Sequence, residues 1–206
     1  MKTAILALQG DFEEHSKALK RNIPDCETVY IKTVKDLKKH SDAKLLIIPG
    51  GESSTFSYLI DLGGIRNELT DFLRNKQLTV FTTCAGTILL SKKIINPGKT
   101  INIGLVDIVT ERNGYGRQID SFITKADFPD DSYLGMKLKN NSDIQTEMVF
   151  IRAPKIIELN DKEIEIIAYE NKNPALIRQG RFLCATFHPE LSERSFVYDI
   201  LHKMML

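Results

Sequence analysis

The sequence predicts an α/β protein of three layers, a doubly wound, mostly parallel sheet with helices on both faces. Three observations predict it. First, Thr3 to Leu8, Ala43 to Ile48 and Leu78 to Thr83 are short runs of mostly apolar or β-branched residues, as expected of strands covered on both faces. Second, stretches with helical spacing separate them, and this β-α-β-α-β rhythm gives parallel strands joined by right-handed crossovers. Third, 206 residues with 42% apolar and 27% charged side chains suffice for one sizeable core, so one domain over residues 1–206 is expected.

The elements follow in order. Thr3 to Leu8 is closed by Gln9-Gly10, and Asp11 is placed to cap the next helix, with Glu13 and Glu14 in its first turn, where the helix dipole favours acids. Thr28 to Thr33 alternates as a strand and Val34 to His40 reads as a short helix. Ala43 to Ile48 runs into Pro49-Gly50-Gly51-Glu52-Ser53-Ser54. The paired glycines permit unusual φ values and let backbone N–H groups face a ligand. Ser53 or Ser54 is expected to cap the helix through Tyr58 to Leu62, and Ile65, Leu69, Phe72 and Leu73 mark another helix by their spacing.

Leu78 to Thr83 stops at Cys84, and Ala85 to Lys93 reads as a helix. A cysteine at such a strand-to-helix turn meets unpaired N–H groups and the positive end of a dipole, which favour the thiolate. Gly86 lets the helix lie close against the sheet, and the whole resembles a nucleophile elbow with Cys for Ser. Taken alone, Cys84 reads rather as a buried cysteine that ends a strand, and only a base elsewhere in the chain reverses that.

Asn96-Pro97-Gly98 is a turn, after which the pattern becomes strand-rich: Gly104 to Thr110, Ser121 to Thr124, Glu147 to Ile151 and Glu163 to Tyr169. The polar, glycine-bearing stretch Glu111 to Gln118 reads as an exposed functional loop, and Pro129 to Asp143 as the most mobile surface loop. Asn171 to Pro174 is a turn, Arg181 to Phe187 the last strand, and the closing helix from about Ser192 buries Phe196, Val197, Ile200, Leu201 and Met204.

His188-Pro189-Glu190 follows the last strand. In an extended segment residues i and i+2 share a side, and Pro189 disfavours a helical continuation. A carboxylate beside an imidazole holds its tautomer and stabilises the imidazolium formed in proton transfer. Both sites fall at C-terminal strand ends, where open α/β sheets place active sites. Cys84, His188 and Glu190 therefore read as nucleophile, general acid/base and orienting carboxylate. Metal binding by the same three is the competing reading, but neither H-E-x-x-H nor C-x-x-C spacing occurs.

The net charge of +1 argues against a nucleic-acid binder with a broad basic face, and the basic run Lys32 to Lys44 reads as a solvated helix face. Cys26, Cys84 and Cys184 leave one cysteine over and form no C-x-x-C, which suits a reducing compartment. The opening MKTAILALQGDF has an apolar run too short for a signal-peptide core, and no stretch approaches a membrane span. A cytoplasmic protein is expected.

TTCAG, FHPEL and PGGESS resemble the class I (triad) glutamine amidotransferases. LQGDFEEH and ERNGYGRQIDSF narrow the resemblance to the glutaminase subunit of pyridoxal 5′-phosphate synthase, over essentially the whole chain. The resemblance implies a flavodoxin-like sheet, a Cys84-His188-Glu190 triad and a γ-glutamyl thioester. It implies a glutamine pocket of Gly50, Gly51, Glu52, Arg112, Ile151 and Arg152, with oxyanion N–H donors at Gly51 and Ala85. It implies docking, with contacts near Gln9 and Gly10, on a (β/α)₈ synthase subunit that receives ammonia through a channel in a large hetero-oligomer. No cofactor or metal of its own is implied. The family elbow is usually G-T-C-A-G; Thr82 departs from it, and a β-branched residue there is expected to crowd the turn. A glutaminase serving another acceptor, or a non-catalytic regulatory subunit on the same fold, stays open on the residues.

Overall fold

Residues one apart along the central strands point to opposite faces, and in this chain both faces are apolar. Ile5, Leu45, Ile47, Phe81 and Leu183 face one way; Ala4, Leu6, Leu46, Ile48 and Val80 face the other. Such strands are stable only when helices cover both sides. The structure, a computed structural model, describes residues 1–75, 77–116, 121–129 and 146–206.

The chain runs β1 (Lys2–Leu6), α1 (Phe12–Asn22), β2 (Glu27–Ile31), α2 (Val34–Lys39), β3 (Leu45–Ile48), α3 (Ser53–Leu62), α4 (Arg66–Asn75), β4 (Thr79–Thr83) and α5 (Ala85–Leu90). Strands β5 (Ser91–Ile95), β6 (Val106–Glu111), β7 (Phe122–Lys125), β8 (Glu147–Phe150), β9 (Lys155–Leu159), β10 (Glu165–Glu170), β11 (Asn173–Gln179) and β12 (Phe182–Ala185) follow, and α6 (Phe196–Met205) closes the fold. The main sheet has the order β10-β11-β12-β4-β3-β1-β2. Its five strands from β12 to β2 are mutually parallel, and β11 is antiparallel to both neighbours. Helices α1 and α6 cover one face through Ala18, Leu19, Phe196, Val197, Ile200 and Leu201. Helices α2 to α5 cover the other through Leu37, Phe56, Ile60, Leu69, Leu73 and Leu89. The expected three-layer, mostly parallel architecture is therefore present. No helix among the described residues is long and apolar enough to cross a membrane.

Four local expectations need correction. Helix α5 stops at Leu90, and Ser91–Ile95 is a strand paired with β6. Ser91 ends the helix by giving its hydroxyl to the Ile88 carbonyl and meeting Thr110 Oγ1, while the lysines 92 and 93 stay exposed on the strand. Asp11 makes no side-chain cap to α1. Helix α3 is capped by Glu52, whose Oε2 accepts from Thr55 N at 2.6 Å, and Ser53 and Ser54 turn to the Thr100 hydroxyl. Pro174, expected in a turn, lies in β11 beside a register irregularity, a place where a missing N–H is tolerated. Strand β9, which pairs with β6, was not legible, nor was β11. Residues 130–143 of the expected mobile loop, and Arg117, Gln118, Ile119 and Asp120, lie outside the described residues.

The chain leaves β1 toward β2 on one side and returns through β3 on the other, so a crevice opens between the carboxyl ends of β1 and β3. The loops there touch: a Cβ on Gly10 would lie 1.8 Å from the Gly50 carbonyl oxygen. Gly86 packs α5 against β3 just as closely, since a Cβ there would lie 2.2 Å from the Ile48 oxygen. Gly86→Ala is accordingly expected to cost about 3 kcal/mol, at the upper end for overpacking, read from the denaturation midpoint. A loss below about 1 kcal/mol would mean that the helix can simply move away.

Candidate active site

Four carboxyl ends, those of β1, β3, β4 and β12, meet at one edge of the sheet. Cys84 follows β4 at once and takes φ 43° and ψ −103° at the N-cap of α5. A non-glycine residue rarely adopts a positive φ, and the strain must be held by its surroundings. Here Cys84 N donates to the Ala185 carbonyl at 3.0 Å, and Thr87 N and Ile88 N donate to the Cys84 carbonyl. Thr82, expected to crowd this turn, lies in the extended part of β4 between Ile48 and Cys184. Its hydroxyl meets Thr87 Oγ1 at 2.8 Å, and Thr87 Oγ1 donates to the Ala185 carbonyl at 2.7 Å. The strain sits on Cys84, and the β-branched side chain two residues earlier is spent on tying α5 to β12.

After β12, His188 and Glu190 are buried, and His188 Nδ1 lies 2.7 Å from Glu190 Oε1. The segment is not extended as expected. A 3₁₀ turn, Pro189–Leu191, begins directly after His188, with proline at a position where its missing N–H costs nothing, and this turn brings the carboxylate back under the ring. With Nδ1 donating to Glu190, Nε2 remains for the sulfur of Cys84. Burial alone would lower the His188 pKa, but the Glu190 carboxylate first, then Cys84 and Asp11, hold it well above its ordinary value. Burial likewise opposes the charge on Glu190, yet His15 and His188 keep it below the usual carboxylate range.

The cleft over Cys84 and His188 encloses about 190 Å³, and Gly51, Glu52, Arg112, Ile151 and Arg152 line it. Gly50 lies behind the imidazole, where a Cβ would come within 2.5 Å of His188 Cε1. Ala85 heads α5 next to Cys84, with the N–H of a first helical residue. Arg112 donates from Nη2 to Glu52 Oε1 at 2.8 Å and from Nε to Ser53 Oγ at 3.0 Å. Two lining residues, Asn113 and Arg152, have φ of 57° and 46°, strain of a kind that gathers at functional sites. Gly51 has φ 132° and is braced by the Gln9 amide, whose Oε1 accepts from Glu52 N at 3.3 Å. Asp11 also lines the cleft, with Oδ2 3.4 Å from His188 Nδ1. Its residue type had suggested a cap; its place one residue beyond Gly10 at a strand's carboxyl end was the missed signal.

Glu52 is both helix cap and pocket wall. Burial raises its pKa, but the N–H groups of Thr55 and Ser54 and the Arg112 guanidinium bring it down to about 2. A depressed carboxyl contributes stability that is present above its unfolded value, near 4.5, and lost as pH falls through the folded one. Glu52→Gln should therefore lose less stability than the parent between about pH 5 and about pH 3, compared by denaturation midpoints. Parallel losses in the two proteins would contradict this.

Among the described residues one grouping is suited to hold a metal: ligand atoms of Asp11, His188 and Glu190 lie within 4.8 Å of one another. The imidazole nitrogen it would use already meets Glu190 Oε1, so an ion there would compete with that contact.

A profile of the SNO glutamine amidotransferase family matches residues 5–205. The chain is 43% identical over 193 residues to the pyridoxal 5′-phosphate synthase subunit PdxT of Pseudothermotoga lettingae, covering 94% of this chain and 90% of that one. It is 40% identical to the protein of the same name from Koribacter versatilis, covering 100% and 96%. A crystal structure titled glutamine amidotransferase superposes with TM-score 0.82 at 34% identity over 98% of each chain. The glutaminase domain of Trypanosoma brucei CTPS with bound acivicin shares the fold at TM-score 0.61 and 10% identity, over 100% of this chain and 93% of that one. With a family profile spanning nearly its whole length and relatives 40% or more identical to it, the chain belongs to the SNO glutamine amidotransferase family.

Proposed function

We propose that this chain, as a single glutaminase domain over residues 1–206, supplies ammonia to the synthase subunit of a pyridoxal 5′-phosphate synthase. That it is an enzyme of the glutamine amidotransferase class follows from its family. The observation that carries the mechanism is the buried 2.7 Å contact of His188 with Glu190 in the same cleft as Cys84.

Glutamine enters with its α-carboxylate toward Arg112 and Arg152 and its α-ammonium toward Glu52; planar guanidinium forks suit a carboxylate, and an ionised acid suits an ammonium. Cys84 Sγ attacks the side-chain amide carbon as His188 takes the thiol proton. The resulting oxyanion is held by N–H groups at Gly51 and Ala85, each worth about 3 kcal/mol in the transition state. The C–N bond breaks as His188 returns its proton to the leaving ammonia, and a γ-glutamyl thioester remains. His188 then deprotonates water, which attacks the thioester; glutamate leaves and the sulfur regains its proton. Glu190 keeps the imidazole in the right tautomer and offsets its positive charge in both half-reactions.

The names of the relatives support the acceptor. The partner is a separate (β/α)₈ subunit that receives ammonia through a protected channel, with Gln9 and Gly10 at the contact, in a hetero-oligomer of the cytoplasm. Since Gln9 braces Gly51, docking at that loop would act directly on the oxyanion donors.

The test is glutamate release with and without the purified synthase subunit, with labelling of Cys84 by a glutamine-like electrophile. Release stimulated by the partner and blocked by the label is expected. Glutamine binding with no thioester, even with the partner saturating, would make the chain a non-catalytic subunit.

A further inference from the structure

We propose that His15 is a positioning residue for the triad: its Nε2–H faces the outer carboxylate oxygen of Glu190 and sets the acid limit of turnover. This rests on the reading of Cys84, His188 and Glu190 as the working triad.

His15 closes the LQGDFEEH stretch, and the glutaminase mechanism above gives it no role. It lies on the inner side of α1 with no exposed surface, its ring edge-on to Phe81 at 5.9 Å. Its Nε2 is 3.5 Å from Glu190 Oε2 and 3.1 Å from Thr83 Oγ1. One imidazole thus touches the residue before the nucleophile and the carboxylate behind the general base. Glu190 Oε1 is taken by His188, while Oε2 is buried without a hydrogen bond of ordinary geometry, and so is His15 Nδ1.

A buried neutral imidazole carries one proton, and burial keeps His15 neutral by pushing its pKa down. With the proton on Nδ1, an N–H would be buried with no acceptor and the Nε2 lone pair would face an ionised oxygen. With the proton on Nε2, the N–H meets Thr83 Oγ1 at 3.1 Å with Oε2 beside it at 3.5 Å, and only a lone pair goes unused. The second arrangement leaves the smaller desolvation loss, because an unmet N–H and a lone pair against a charge are both costly.

Among the described residues, the charged and titratable groups near Glu190 are His15 and Arg21 from α1, Asp11 just before it, His188, and Tyr198 from α6. Arg21 spends its Nη2 on the Glu190 and Ser192 backbone carbonyls, and the buried Tyr198 hydroxyl has no partner. His15 is therefore the group placed to serve Oε2. Without it, Glu190 would take up a proton at higher pH and release His188 Nδ1 from its acceptor.

Glutamate release with saturating synthase subunit should be measured for the wild type, His15→Leu and His15→Gln across about pH 5 to 9. His15→Leu is expected to lower kcat about tenfold, leave KM for glutamine unchanged, and move the acid limb up by about one pH unit; His15→Gln, which keeps a donor, restores most of both. A folded His15→Leu with the wild-type kcat and acid limb would overturn the proposal. If that variant does not fold, the wild type decides: nitrogen NMR of the labelled histidine should show a neutral ring protonated on Nε2, and protonation on Nδ1 would overturn it. Absence of glutamate release from the wild type would instead sink the triad reading, while the NMR result would still uphold or reject the contact.

Discussion

Cys84→Ala should abolish glutamate release, lowering kcat on the order of 10⁵-fold with the synthase partner present, as loss of a nucleophile within an interdependent triad does. On the proposed mechanism the lost atom is the one that would form the thioester, so His188 and Glu190 would have nothing to activate except water. Their effects should collapse accordingly: in the Cys84→Ala background, further replacing His188 should change the residual rate little, because residues that act as a unit are not additive. Folding should be nearly untouched. Alanine and cysteine meet the same penalty at the φ of 43°, and the elbow is held by backbone contacts to Ala185 and by Thr87. Retention of full activity in this variant would end the covalent mechanism.

Glu190→Gln should be the second-largest effect, lowering kcat by roughly 10³–10⁴-fold with KM for glutamine little altered. The amide fits the same space but carries no charge, and its NH₂ face would present a donor to His188 Nδ1 and favour the wrong tautomer. The same variant has a stability signature. The pKa of His188 is raised in the folded protein, with burial opposed chiefly by Glu190. A raised group contributes stability that is fully present below its unfolded value near 6.5 and lost as pH climbs through the folded one. Removing the Glu190 charge should erase that alkaline decline, so the midpoints of variant and parent should converge between about pH 7 and about pH 9. If the gap between them stays constant over that range, Glu190 does not hold the imidazolium.

Much of this molecule was legible before its structure. The apolar runs at β1, β3 and β4 demanded a sheet covered on both faces, and the Cys84 elbow, the paired glycines and His188-Pro189-Glu190 could be read as chemistry from residue type and spacing. These are local properties, set by propensity, side-chain alternation and turn chemistry within a few residues. Ser91, Asp11, Ser53 and Pro174 misled for one reason: each residue type suits more than one local role, and its neighbours in the fold made the choice. Ser91 could have extended a helix until Thr110 and β6 were beside it, and Ser53 could have capped α3 until Thr100 and Arg112 met its hydroxyl.

By itself, then, the sequence determined the doubly wound sheet, the alternation of strands and helices through its first half, and the chemical types offered at the carboxyl edge. Only the tertiary structure decided that His15, 175 positions before Glu190 in the numbering, would stand behind that carboxylate, and that Asp11 would face the imidazole rather than its own helix. Which side of a helix meets which strand end depends on the crossover path and on packing between distant segments, and no local pattern of residues encodes that.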